Sequence, residues 1–165
     1  MGQPKALMCT IGGDPWSALA CDFLRDSGCD RLIVVLGAEV ERSSALAPVD
    51  AEIVVAGEWE LGMSASLRAG LLAASGAAAL ITLVDLPDLP SSVGKRVVGD
   101  TVLGSTLRRA VFHGRPGHPV LIGAEHWSPL IDTLEGDRGA QGYLRAHDVL
   151  EIECGDLSDG RDIDT

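Results

Sequence analysis

An aspartate that follows directly on a short apolar run is a candidate cation ligand, and the stretch 83–90 (LVDLPDLP) places one at Asp85. Hard divalent cations such as Mg²⁺ bind one or two carboxylates and complete their shell with water and substrate phosphate oxygens. Pro87 would fix the turn that carries the carboxylate. Equally, Asp85 could simply cap a turn ahead of a helix near Ser91. A second candidate is the loop 57–67 (GEWELGMSASL), where glycines lead into a helix whose first turn carries Ser64 and Ser66. Unpaired backbone N–H groups and the helix dipole favour polar or anionic ligands there, although Ser64 could serve only as a helix cap. A third stretch, 114–119 (GRPGHP), reads as a rigid glycine-rich turn presenting Arg115 and His118, or as a plain hairpin with a surface histidine. Gly136-Asp137-Arg138-Gly139 combines a turn with a charged pair. At the chain's end, Asp162 and Asp164 alternate on an extended segment, so both would point the same way. They could share a cation with Asp85, or form a solvated acidic tail.

The composition narrows the partners. The 165 residues suffice for one domain, and 46% hydrophobic against 22% charged residues reads as globular. Asp and Glu number 24 against 13 Lys and Arg, a formal charge of −11. Such a chain repels polynucleotides and anionic membranes, so neither is an expected partner. A small anionic ligand would need a local cation, from a side chain or a metal. Cys9, Cys21, Cys29 and Cys154 form no CxxC pair and have no histidine at ligand spacing, so free thiols are expected rather than a zinc site. The first residues show no basic segment followed by an apolar run, and the longest apolar stretch, 77–84, is too short to span a bilayer. A cytoplasmic location is therefore expected.

The elements that would position these residues follow from hydrophobic patterning. The runs 31–36 (RLIVVL), 53–56 and 79–84 (ALITLV) are continuously apolar, as in strands buried on both faces. Asp14-Pro15 suits a helix start, with Asp14 as N-cap, and Gly28 a stop. Met63, Leu67 and Leu71 recur on one helical side, and Val93, Val97 and Val98 point to another helix. Segments 109–112 and 120–122 are expected as short strands at the sheet's edge. Helices are expected over 127–134 and 139–147, and a last strand over 149–153. Alternating strands and helices predict a Rossmann-like, three-layer α/β domain with ligands at the carboxyl ends of its strands.

Taken in order, the motifs resemble the nucleotidyltransferase family whose best-known branch attaches CMP to molybdopterin. Met1-Gly2-Gln3-Pro4-Lys5 resembles the end of that family's opening signature, and Gly12-Gly13-Asp14-Pro15 its next turn. Val35-Leu36-Gly37-Ala38 fits the end of its second strand. The stretch 59–71 is similar to its nucleotide-contacting loop and helix, and Asp85-Leu86-Pro87 to its metal-binding turn, where the family more often has Met at the position of Leu86. Gly117-His118-Pro119-Val120, Gly136-Asp137-Arg138-Gly139-Ala140 and Asp162-Ile163-Asp164-Thr165 resemble its later motifs.

The resemblance implies a nucleotide-diphospho-sugar transferase type of fold, with a mostly parallel mixed sheet. It implies that Lys5 neutralises a triphosphate and that Asp85 binds Mg²⁺, with Asp162 or Asp164. Gly62, Ser64 and Ser66 would bind the nucleotide; Arg115, His118, Asp137 and Arg138 would face the acceptor. The implied reaction transfers CMP from CTP to a phosphorylated pterin and releases pyrophosphate, with a molybdoenzyme or its maturation chaperone as a possible protein partner. A guanylyltransferase using GTP or another NTP transferase acting on a different phosphorylated acceptor, and a non-catalytic cofactor-binding relative, are the alternatives. Residues 1–165 are expected to form one such domain, truncated at both ends. The family's first strand, glycine-rich loop and arginine would lie upstream, Met1 would be internal to a longer reading frame, and a closing helix would lie downstream.

Overall fold

The computed structural model describes residues 4–163. Its elements alternate as the sequence pattern requires. A short 3-10 turn, Lys5–Leu7, precedes helix α1 (Trp16–Asp26), strand β1 (Ile33–Leu36), helix α2 (Val40–Ser44) and strand β2 (Glu52–Val55). A 3-10 turn at Trp59–Leu61 leads into α3 (Met63–Ala73), then β3 (Ala78–Ile81) and α4 (Ser91–Val98). The hairpin β4 (Leu107–Phe112) and β5 (Arg115–Gly123) is followed by α5 (Trp127–Thr133), α6 (Gln141–Ala146) and β6 (Leu150–Glu153).

Strands β1 and β2 pair in parallel as one sheet; the other runs β3-β5-β4-β6. There β4–β6 is parallel, while β3–β5 and β4–β5 are antiparallel, so the arrangement is mixed. The period of two along β5 separates the two cores. Leu121 faces Phe23 of α1, Val93 and Val97 of α4, and Ala110 and Phe112 of β4. Val120 and Ile122 face Leu71 of α3, Leu130 of α5 and Leu144 of α6. Helices thus cover both faces of the strands, the three-layer α/β architecture expected. Close packing sets the α1–α4 crossing: a Cβ on Gly94 would lie 1.9 Å from Ser27 Oγ, so only glycine fits there. Among the described residues no helix is long and apolar enough to cross a membrane, and all four cysteines are free thiols.

Four local expectations need correction. The strands at 109–112 and 120–122 are not edge strands: β5 lies between β3 and β4, and β4 between β5 and β6. The stretch 114–119 is not a turn throughout. The reversal is confined to His113 and Gly114, with φ of 52° and 77°, and Arg115 already begins β5. The run 79–84 leaves its ladder after Ile81, which pairs with Val120. The next partner would be Pro119, which has no N–H to donate. Residues 82–84 therefore form a linker between β3 and Asp85. Finally, the N-cap of α1 is Pro15 rather than Asp14. Asp14 is tied into the preceding turn, its N–H donating to Thr10 Oγ1 at 3.1 Å and its carbonyl accepting from Thr10 N–H at 2.9 Å.

Candidate functional site

The pair with the greatest electrostatic consequence is Lys5 and Asp85. Lys5 opens the first 3-10 turn, and its Nζ donates to Asp85 Oδ2 at 2.5 Å across 80 positions of sequence. The Asp85 side chain is only 10% exposed against 37% for Lys5. Its other oxygen, Oδ1, is buried without a hydrogen-bond partner. A buried carboxylate oxygen left unsatisfied is costly unless something binds it. The backbone around it is fixed: Leu89 N–H donates to Leu86 O at 3.1 Å, closing the Pro87 turn, and Ile163 N–H donates to Asp85 O at 3.0 Å. The second bond docks the C-terminal segment, with exposed Asp162 next in chain, against the Asp85 turn. Asp164 lies outside the described residues.

His118 is also brought to this point from β5. Burial pushes its pKa below the ordinary histidine value, and the nearby Asp85 carboxylate partly offsets that. The ring is therefore neutral at pH 7 and able to accept a proton or a hydrogen bond. Arg115, three residues earlier, stands exposed at the β4–β5 turn.

Lys5 also lines a cavity of about 350 Å³. Pro4 and Ala6 flank it; Val35 to Ala38 enter from the carboxyl end of β1; Trp59, Gly62, Met63 and Ser66 enter from the loop and start of α3, and Asp137 from the turn before α6. Ser64 is buried, not among these lining residues, and its Oγ has no partner.

The N-terminus of α3 is not open to a ligand. Met63 N–H donates to Asp137 Oδ1 at 3.3 Å, and Ser64 N–H donates to Gly136 O at 3.0 Å. The turn 136–139 therefore caps α3 and supplies negative charge at its positive end. Contact is so close that a Cβ on Gly62, whose φ is 114°, would meet Asp137 Oδ1 at 2.5 Å and Gly136 O at 2.7 Å. Arg138 is exposed beside Asp137.

Most of the residues named from the sequence fall into two adjoining groups; Ser64, Arg115 and Arg138 join neither. Asp85 and His118 lie within electrostatic reach of one another, with the segment bearing Asp162 docked on the Asp85 backbone. Gly62, Ser66 and Asp137 share the cavity, and Lys5 belongs to both groups. Trp59 and Gly37 line the cavity too; the sequence placed both within family motifs but gave neither a role of its own. The signal for Trp59 was an aromatic side chain in a glycine-containing loop of a chain with only 4% aromatics.

Residues 1–151 match the MobA-like NTP transferase domain. The chain belongs to that family. A relative, the nicotine blue oxidoreductase of Paenarthrobacter nicotinovorans, is 33% identical over 174 residues, covering 98% of this chain and 84% of its own length. Among solved structures, Rv0371c of Mycobacterium tuberculosis superposes with a TM-score of 0.78 at 23% identity, over 93% of this chain and 80% of its own. Rv0371c in complex with manganese gives 0.74 at 22%, over 93% and 83%. A nucleotidyl transferase from Methanothermobacter thermautotroptrophicus gives 0.72 at 22% identity, over 91% and 76%. The fold of this MobA-like domain is thus that of nucleotidyltransferases, and family membership makes a nucleoside triphosphate its substrate class.

Proposed function

We propose that this MobA-like domain transfers CMP from CTP to a phosphorylated pterin, molybdopterin, and releases pyrophosphate in the cytoplasm. The observation that carries the reading is the Lys5–Asp85 pair: a cation on the cavity wall, joined to a buried carboxylate whose second oxygen has no partner. Phosphoryl transfer needs positioned positive charge more than covalent help from the protein. Lys5 would hold the triphosphate. Gly62 and Ser66, on the same cavity, would hold the nucleoside. His118, neutral and beside Asp85, would meet the acceptor together with Arg115, Asp137 and Arg138. The attacking atom is a phosphate oxygen of the acceptor, the bond broken joins the α-phosphorus to the bridging oxygen, and pyrophosphate leaves with that electron pair.

The residues present fit Mg²⁺. Among the described residues no cluster of three or more His, Cys, Asp or Glu side chains is placed to hold a metal. A single carboxylate with a free oxygen suits a cation that takes its remaining ligands from phosphate and water. Asp85 would hold it, with exposed Asp162 available from the segment docked through Ile163; Asp164, the other candidate, lies outside the described residues. When bound, Mg²⁺ would neutralise phosphate charge. The manganese complex of Rv0371c is in keeping with this.

Calorimetric titration with CTP and with GTP, each with and without Mg²⁺, tests the reading, followed by pyrophosphate release on adding molybdopterin. Mg²⁺-dependent binding of CTP over GTP is expected; preference for GTP would make it a guanylyltransferase. Nucleotide binding without release would leave a non-catalytic carrier that delivers cofactor to a molybdoenzyme or its chaperone. The name of the Paenarthrobacter relative favours a second reading, an oxidoreductase. Redox turnover of nicotine blue, with no pyrophosphate formed from CTP, would establish that reading instead.

A further inference from the structure

The cavity beside β1 has an aromatic wall as well as a cation. Trp59 lies against the backbone of Gly37, where a Cβ would come within 2.6 Å of Trp59 Cβ and 2.7 Å of Cγ. Only glycine at the end of β1 lets the indole sit there. Even so seated, Trp59 remains 41% exposed and lines the cavity together with exposed Met63. The other two tryptophans are engaged elsewhere: Trp16 is 4% exposed, and Trp127 donates its Nε1–H to Ile122 O. A tryptophan and a lysine lining one cavity select a particular kind of ligand. It must carry a planar ring for the first and negative charge for the second.

We propose that Trp59 is the platform on which the heteroaromatic base of the bound nucleotide stacks, with the phosphates held by Lys5. This deepens the nucleotide reading given above and rests on it. Every base has a π-face, so such a platform adds affinity without choosing among bases. Base choice then falls to groups that meet the ring's edge, of which Ser66 and the Gly62 backbone line the cavity. Gly37 is a positioning residue here, since it acts only through the seat it gives the indole.

The test uses the full chain, titrated with CTP and with inorganic tripolyphosphate, followed by tryptophan fluorescence and calorimetry. CTP should quench the wild-type fluorescence. Trp59→Phe should keep CTP affinity within about threefold but lose the quench, and Trp59→Ala should lose on the order of tenfold for CTP and nothing for tripolyphosphate. Gly37→Ala, checked for native circular dichroism, should behave as Trp59→Ala because it evicts the ring. CTP binding equally tight to wild type and Trp59→Ala would overturn the stacking and leave the nucleotide reading intact. Equal weakening of CTP and tripolyphosphate would mark Trp59 as structural and also overturn it. A wild type that binds no nucleoside triphosphate would end both.

Discussion

Replacing Lys5 by methionine keeps most of the side chain's volume and removes its charge. Asp85 is then a carboxylate, 10% exposed, with no partner for either oxygen. Breaking a fully buried ion pair costs about 3–5 kcal/mol, and an exposed pair is worth about 0–1 kcal/mol. Lys5 is 37% exposed, so water reaches one side of this pair. The expected cost lies between those limits, about 1–3 kcal/mol, or about 2–4 °C in Tm for each kcal/mol in a chain of this size. Asp85→Asn should cost less than Lys5→Met, because it removes the buried charge, whereas the lysine that remains is 37% exposed to water. In the double variant the loss should be no greater than for Lys5→Met alone, giving a coupling of about 1–2 kcal/mol. Thermal and urea denaturation of the four proteins measures this. Mg²⁺ should raise the Tm of Lys5→Met by mass action and leave Asp85→Asn unmoved. Additive single effects, agreeing within about 0.5 kcal/mol, would show that the two residues do not act as a unit. A Mg²⁺ response unchanged by Asp85→Asn would remove Asp85 as the cation ligand.

Two further predictions concern the surrounding frame. Gly62→Ala adds a Cβ 2.5 Å from Asp137 Oδ1 at a φ of 114°; it should cost about 1–3 kcal/mol and push the 136–139 turn off α3, seen as lowered Tm with weakened nucleotide binding. His118 has a folded-state pKa held below its ordinary value of 6.5 by burial, so the unfolded chain binds the extra proton first. Stability is then full above pH 6.5 and declines as pH falls through that value. His118→Gln should flatten the urea midpoint between about pH 5 and 7 relative to wild type; an identical pH profile in the two proteins would refute the assignment.

The elements that patterning found were those whose signal is local. Continuous apolar runs gave β1 and β2, and the spacing of Met63, Leu67 and Leu71 gave α3. Strand β5 was misplaced to the edge because Pro116, Gly117 and Pro119 all read as strand breakers. The fold accommodates them where the β4–β5 register shifts between Arg109 and Val111 and where the β3 ladder stops at Val120. Asp14 was read as a cap because its type and position suited one, but the bonds to Thr10 claim its backbone first. In the site, Lys5 carried no local signal at all; only the resemblance singled it out, and its partner lies 80 positions away. Gly136-Asp137-Arg138-Gly139 was legible as a turn. That it caps α3 was not, because Asp137 and Met63 are 74 positions apart. The seat of Trp59 on Gly37 is likewise a tertiary contact, invisible to any window of sequence.

The two reactions suggested by this protein's relatives place different demands on the same fold. Both a nucleotidyl transferase and an oxidoreductase could use a cavity lined by a tryptophan and a lysine. A redox reaction, however, does not in itself call for a buried carboxylate with one oxygen unsatisfied, a feature that costs about 1–3 kcal/mol to maintain. Metal-assisted phosphoryl transfer has a direct use for it, since the unsatisfied oxygen is a ready ligand and Lys5 balances the charge until the nucleotide arrives. The geometry at Asp85 therefore weighs toward phosphoryl chemistry more than the cavity itself does. Whether a given relative keeps both the lysine and the aspartate should separate transferases in this family from members that took up another reaction.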